Sequence, residues 1–171
     1  MKSQRSSARI ANEDLIELLG GSWARLREYF FEGEGRKWLD LYDINKPLAI
    51  ALCQGAAMHY HDHINGVKDF DVWFLYPFNK KHLPYRTIWH WDYRNPKFGS
   101  HPDHTGYMGR KVDVLVRSIR NYDPSDPGET IRAFFENEGT DAARELALKA
   151  VVLLDPPARL GDVVWYKGPI A

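Results

Sequence analysis

The sequence predicts an α/β domain of the α+β kind, a small sheet flanked by helices. Three short segments, at 47–56, 69–76 and 111–119, are apolar or alternate between apolar and polar residues, as buried strands do. Around them stand stretches with apolar residues at helical spacing, near the start of the chain and again over 130–154. A length of 171 residues suits one domain with a sizeable core, and 44% hydrophobic with 27% charged residues is the balance of a globular chain.

Taken in order, residues 1–10 are rich in Ser and Arg and read as a flexible tail, with a single domain over 11–171. Asn12 is placed to cap a helix with Glu13 and Asp14 in its first turn and Leu15, Ile16, Leu18 and Leu19 on its apolar face. Gly20 and Gly21 are expected to end it. Ser22 then caps a second helical segment presenting Trp23, Leu26, Tyr29 and Phe30. No P-loop lysine follows this Gly-Gly-Ser run, so it reads as helix punctuation. After a glycine turn at 32–36 and a short helix or extended piece at 37–42, Pro47 opens LAIALCQGAA, a strand expected to be buried on both faces and to reach Gly55. Residues 58–67 are polar and contain Asn65-Gly66; they read as a loop into a second strand, Asp69 to Tyr76, which Pro77 ends.

Residues 78–108 carry Pro84, Pro96, Pro102 and four histidines, and read as a long loop-rich insertion with room for a short helix after Asn79. Within it Trp89 and Trp91 are placed where a planar side chain can stack on a base. The third strand, Lys111 to Ile119, alternates and is rich in valine. PSDPGET marks a turn, 130–137 a short amphipathic or helical piece, and 140–154 a helix with Ala143, Leu146, Ala147, Ala150, Val151 and Leu154 as its stripe. Val163 to Tyr166 is a final edge strand or a docked extension.

With 23 basic and 23 acidic residues the chain has no net charge, so nothing global points to nucleic acid or an anionic membrane as partner. Cys53 is the sole cysteine, which excludes an internal disulfide and a cysteine-based zinc site and suits a reducing compartment. No apolar segment is long enough to span a bilayer, and MKSQRSSARIANEDL has no run like a signal-peptide core. A cytoplasmic location is the expectation.

The chemistry centres on Asp69 and Asp71. One residue apart on a strand, they share a face with Phe70 turned away. Mutual repulsion and burial make such a pair costly unless a cation lies between the carboxylates. Asp113 enters near the start of the third strand as they enter near the start of theirs. Three carboxylates from two neighbouring strands suit two magnesium ions, which prefer oxygen ligands and bring together the oxygens of an in-line phosphoryl displacement. The glycine after the first strand, Gly55, lets backbone amides approach a phosphate.

Gly55-Ala56, twelve intervening residues, Asp69-Phe70-Asp71 and the later Asp113 resemble the glycine turn, DxD pair and third aspartate of the polymerase-beta-like nucleotidyltransferase superfamily. CQGAAMHY, NGVKDFDVW and GRKVDVLVRS are similar in particular to a bacterial group of that fold with no assigned substrate, and the resemblance covers about residues 48–120. It implies a small mixed sheet, magnesium carried by Asp69 and Asp71, and Asp113 as third ligand and candidate base. The implied reaction moves a nucleoside monophosphate from a nucleoside triphosphate to an unknown hydroxyl acceptor. Lys68, Arg110, Lys111, Arg117 and Arg120 are candidates for triphosphate contacts. The family's turn is usually Gly-Gly or Gly-Ser, whereas Ala56 offers a phosphate only its backbone amide.

Other readings stay open. Asp69 can cap the turn after Asn65-Gly66, with Asp71 paired to Lys68 or Arg110. Ala56 and the short length suit a catalytically inactive nucleotidyltransferase-fold module that binds nucleotide or another protein. His59-Tyr60-His61-Asp62-His63 resembles the HxHxDH motif of metallo-β-lactamase-type hydrolases but lacks one residue between the second His and the Asp. His82, His90, His101 and His104 can in principle complete a zinc site there; otherwise these histidines hydrogen-bond to their neighbours.

Overall fold

A computed structural model describes residues 4–84 and 89–168. Helix α1 spans Asn12–Arg27, and a π-helical turn (Glu28–Glu32) and a 3-10 turn (Glu34–Trp38) follow it. Strand β1 (Ala49–Cys53) leads into α2 (Gln54–Asp62), then β2 (Phe70–Pro77), β3 (Trp89–Tyr93) and β4 (Arg110–Ile119). Helices α3 (Pro127–Asn137) and α4 (Asp141–Ala147) precede β5 (Ala150–Asp155) and β6 (Val163–Tyr166). The strands form one mixed sheet in the order β3-β4-β2-β1-β5-β6, which makes the fold α+β. β2 and β4 run parallel; every other neighbouring pair is antiparallel. Among the described residues no helix is long and apolar enough to cross a membrane.

Alternation divides the sheet between two cores. Phe70, Val72, Phe74, Val112, Val114 and Val116 pack with Leu15, Leu18 and Leu26 of α1. On the opposite face Ala51, Trp73, Leu75, Leu115 and Ile119 pack with Ile131 and Phe134 of α3 and Leu146 of α4.

Four elements differ from the sequence expectation. First, α1 runs through Gly20 and Gly21 without a break, and its N-cap is Ala11, whose N–H donates to the Asp14 carboxylate at 2.7 Å. Gly21 is there for contact: a Cβ on it would lie 2.3 Å from the Trp91 ring, and Trp91 Nε1 donates to Ser22 Oγ at 3.2 Å. That packing outweighs the roughly 1 kcal/mol that a glycine costs a helix. Second, β1 ends at Cys53 and the first half of the expected 58–67 loop is helix. Gln54, at φ 63°, turns the chain sharply into α2, whose Ala56, Ala57 and His59 are buried while its other histidine, His61, lies outside them.

Third, the 78–108 insertion contains β3, an edge strand on β4, and a 3-10 turn at Pro96–Phe98. Trp89 is buried against Tyr29 and Phe30, and Trp91 sits over Gly21, so both tryptophans are packing residues rather than surfaces for a base. Fourth, the expected 140–154 helix stops at Ala147. Val151, Val152, Leu153 and Leu154 are fully buried between β1 and β6, where a continuous Val/Leu run covered on both faces is favoured as strand. Such a run also satisfies a helical stripe, because every position in it is apolar.

Residues 4–10, expected as a tail, cross the start of α2. Ser6 and Val67 exchange backbone hydrogen bonds at 2.8 Å each, and Ile10 is buried in the α1-side core.

Candidate functional site

β2 and β4 lie in register with Asp71 beside Asp113, so two carboxylates on one face occupy adjacent strands, about 4.8 Å apart at the backbone. The row continues in both directions. His90 of β3 is opposite Asp113, Cys53 of β1 is opposite Asp71, and Val151 of β5 is opposite Cys53. Asp69 lies one residue before β2 and lines a cleft of about 90 Å³ with Asp71. Gln54, Gly55 and Ala56 form one wall of that cleft; Arg5, Lys68 and Lys149 complete it.

Gln54, Gly55 and Ala56 are the first three residues of α2, where backbone N–H groups lack intrahelical partners and the helix dipole is positive. The chain therefore brings three amides and three cationic side chains to the edge of two carboxylates. Lys149 Nζ donates to Gln54 Oε1 at 3.2 Å, tying the residue before β5 to the first residue of α2.

Asp71 carries the electrostatic strain of the arrangement. Burial, then the charges of Asp69 and Asp113, push its carboxyl up to about 7, with Lys149 and Lys111 opposing. Lys111 pairs with Asp113 at 3.3 Å. The neighbouring Cys53 thiol is pushed up by burial and by Asp71, which leaves it unreactive as a nucleophile.

The donor chemistry fits a hard divalent cation: carboxylate oxygens from two adjacent strands, one of them pushed toward its neutral form by burial and by its acidic neighbours. The side chains do not already form a cage. Among the described residues no group of three or more His, Cys, Asp or Glu side chains is arranged to hold a metal ion, and the Asp113 carboxylate is paired with Lys111.

The expected triphosphate contacts separate. Lys68 lines the cleft. Arg110 is buried, and its guanidinium donates to the carbonyls of Val67, Gly99, Ser100 and Gly109, so it organises loops instead of facing a substrate. Arg117 lies over the Trp73 ring at 5.0 Å, four residues along β4 from Asp113 and so about 13 Å away by strand rise. Arg120 stacks on Phe78. Arg5 and Lys149 take the positions beside the cleft, and neither was legible as such: one stood in the expected tail, the other inside the expected helix. His90 joins the row only through the β3–β4 register. Its signal was the five-residue alternation Trp89-His90-Trp91-Asp92-Tyr93.

The histidines of α2 do not converge. His59 is fully buried, its Nδ1 accepting from the Gly66 N–H at 3.0 Å and its Nε2 donating to the Ala8 carbonyl at 2.9 Å. Both nitrogens are engaged by main chain, which removes it as a zinc ligand. His61 packs against Tyr166, with ring centroids 4.6 Å apart. His59 thereby clamps the N-terminal segment and the 63–67 turn against α2, and these carry Arg5 and Lys68 to the cleft.

No family model matches this chain, and no curated protein or solved structure matches it significantly.

Proposed function

We propose that the protein is a magnesium-dependent nucleotidyltransferase acting on a nucleoside triphosphate and a hydroxyl acceptor. The observation that carries this reading is the adjacency of Asp71 and Asp113 on parallel strands, next to a cleft that Asp69 shares with the amino end of α2. Asp69, Asp71 and Asp113 would hold the magnesium. When bound, the cation supplies the positive charge that a phosphoryl transition state needs.

The chain's own groups do the rest. The amides of Gly55 and Ala56 and the side chains of Arg5, Lys68 and Lys149 bind and orient the phosphates. Asp113 accepts the proton of the acceptor hydroxyl as its oxygen bonds to the α-phosphorus. The bond from the α-phosphorus to the bridging oxygen breaks, and that electron pair leaves with pyrophosphate.

Pyrophosphate release, measured with each nucleoside triphosphate in Mg2+ and cell extract as acceptor source, tests the reading. The parent protein is expected to release pyrophosphate, and Asp71→Asn to lose at least a hundredfold in rate. Failure of the parent to bind any triphosphate in Mg2+ sinks it.

A second reading, a nucleotide-binding module without catalysis, is favoured by the Lys111–Asp113 pair, which puts a lysine where an active site needs a cation. Triphosphate binding that is indifferent to Mg2+, with no pyrophosphate released, selects it.

A further inference from the structure

A cavity of about 500 Å³ lies away from the three aspartates, inside the 100–108 loop. Three rings meet in it. His101 is 4.8 Å from His104 and 4.9 Å from Tyr107 between centroids, while His104 and Tyr107 are 6.3 Å apart and within 22° of parallel. His101 is 7% exposed and lies deepest; His104 is exposed and Tyr107 half-buried. The loop therefore presents two near-parallel ring faces above a buried third ring, an arrangement that suits a flat ligand.

His101 adds a polar signal. The Asp103 N–H donates to its Nδ1 at 3.1 Å, which leaves the proton of the neutral ring on Nε2. That Nε2 is buried and has no hydrogen-bond partner among the described residues. Burial and the neighbouring His104 hold the ring's pKa below the ordinary histidine value, which keeps it neutral. A buried N–H without a partner is costly, and a ligand acceptor atom satisfies it.

The cavity is also wired to the row of carboxylates. The Tyr107 hydroxyl donates to Asp92 at 2.7 Å, Asp92 is the register partner of Lys111, and Lys111 pairs with Asp113. Asp92, His90, Lys111 and Asp113 share one sheet face, so the loop hangs at the β3 edge of the same surface. Arg94 covers the Tyr107 ring at 5.0 Å and fixes its plane.

We propose that the 100–108 loop is the base-binding subsite, taking the planar nitrogen heterocycle of the nucleoside triphosphate against His104 and Tyr107 with His101 Nε2 donating to a ring nitrogen or carbonyl. The proposal rests on the nucleotidyltransferase reading and extends it to the part of the substrate that the aspartate cleft does not touch. Ring stacking tolerates any base, whereas the single donor favours bases with an acceptor at the matching edge.

Equilibrium binding of ATP, GTP, CTP and UTP in Mg2+, with inorganic tripolyphosphate as the probe lacking a base, tests it on full-length protein. His104→Ala removes an exposed ring and leaves the fold intact; it is expected to weaken the best triphosphate about tenfold and tripolyphosphate not at all. His101→Phe keeps a ring but deletes the donor, and is expected to reduce discrimination among the four bases. Equal affinity of parent and both variants for every triphosphate overturns the subsite while leaving the nucleotidyltransferase reading standing. If His104→Ala weakens tripolyphosphate as much as ATP, the loop contacts phosphate and the proposal is wrong. Absence of any binding by the parent overturns both.

Discussion

Asp71 and Asp113 stand side by side on parallel strands although 41 positions separate them in the chain, and the sheet offers Asp71 no partner of opposite charge as close as the one Lys111 gives Asp113. The asymmetry matters. Asp113 has its cation, and among the described residues Asp71 has the more distant pull of Lys149 and Lys111 against its own burial and two like charges.

This makes stability depend on pH in a direction opposite to that of a salt-bridged aspartate. The Asp71 carboxyl sits at about 7 in the folded chain against 3.8 in its ordinary state. Between those values the folded protein holds a proton that the unfolded chain releases, so stability falls as pH rises through this window and stays low above it. The full effect is on the order of 4 kcal/mol at ~1.4 kcal/mol per tenfold. Asp71→Asn is therefore expected to raise the urea midpoint at pH 8 in the absence of divalent cations, with the gain shrinking toward pH 4. Equal midpoints for parent and variant at pH 8 would show that Asp71 is not the strained group.

Two adjacent glycines of α1 are expected to respond in opposite ways. Gly20 has open space where a Cβ would go, and Gly20→Ala should stabilise the helix by about 0.5–1 kcal/mol. Gly21→Ala drives a methyl to 2.3 Å from the Trp91 ring and is expected to cost about 1–3 kcal/mol by overpacking. Denaturant unfolding measures both, and tryptophan emission reports whether the Trp91 indole has moved. A Gly21→Ala protein as stable as the parent with unchanged emission would contradict the packing.

His59 holds the N-terminal segment to the cleft, and its removal should loosen that segment before it loosens the core. His59→Phe fills the same space but leaves the Gly66 N–H and the half-buried Ala8 carbonyl without their partner, at about 1–3 kcal/mol for the buried N–H and less for the carbonyl. Trypsin cleavage after Arg5 and Arg9, followed by mass spectrometry, is expected to accelerate at least tenfold while cleavage elsewhere is unchanged. Uniform acceleration at all sites would mean that His59 supports the whole fold.

The sequence made some of this legible and hid the rest for physical reasons. β1, β2 and β4 are readable because each is a short apolar or alternating run bounded by turn residues; Asp69, expected on the strand, lies one residue before β2 and meets Asp71 at the cleft. β5 reads equally as helix because an unbroken Ala-Val-Val-Leu-Leu run has no periodicity to distinguish the two. β3 is masked by its neighbouring prolines, since five alternating residues are a weak signal beside them. Register is a tertiary property: the equivalent strand positions of Asp71 and Asp113 hint at their meeting, but nothing local tells that His90 faces Asp113 or that Lys149 reaches Gln54. Arg110 shows the converse. Its position next to the third strand suggested a phosphate contact, but burial and its carbonyl partners decide its role.

Lys111 separates the catalytic and non-catalytic readings. Its side chain is 39% exposed and its ammonium pairs with Asp113 at 3.3 Å, so by charge it competes with any divalent cation for that carboxylate. A pair this exposed contributes about 0.2–1 kcal/mol, which sets the size of the competition. Lys111→Met keeps the chain length on the strand and removes the charge. If Asp113 is a metal ligand, the variant binds Mg2+ up to about fivefold more tightly, measured by calorimetry against the parent. If the lysine has permanently replaced the metal, the variant leaves Asp71 and Asp113 both short of a cation: Mg2+ affinity does not rise, and the urea midpoint at pH 8 falls instead. The two outcomes differ in Mg2+ affinity, so calorimetry on one protein preparation decides between them.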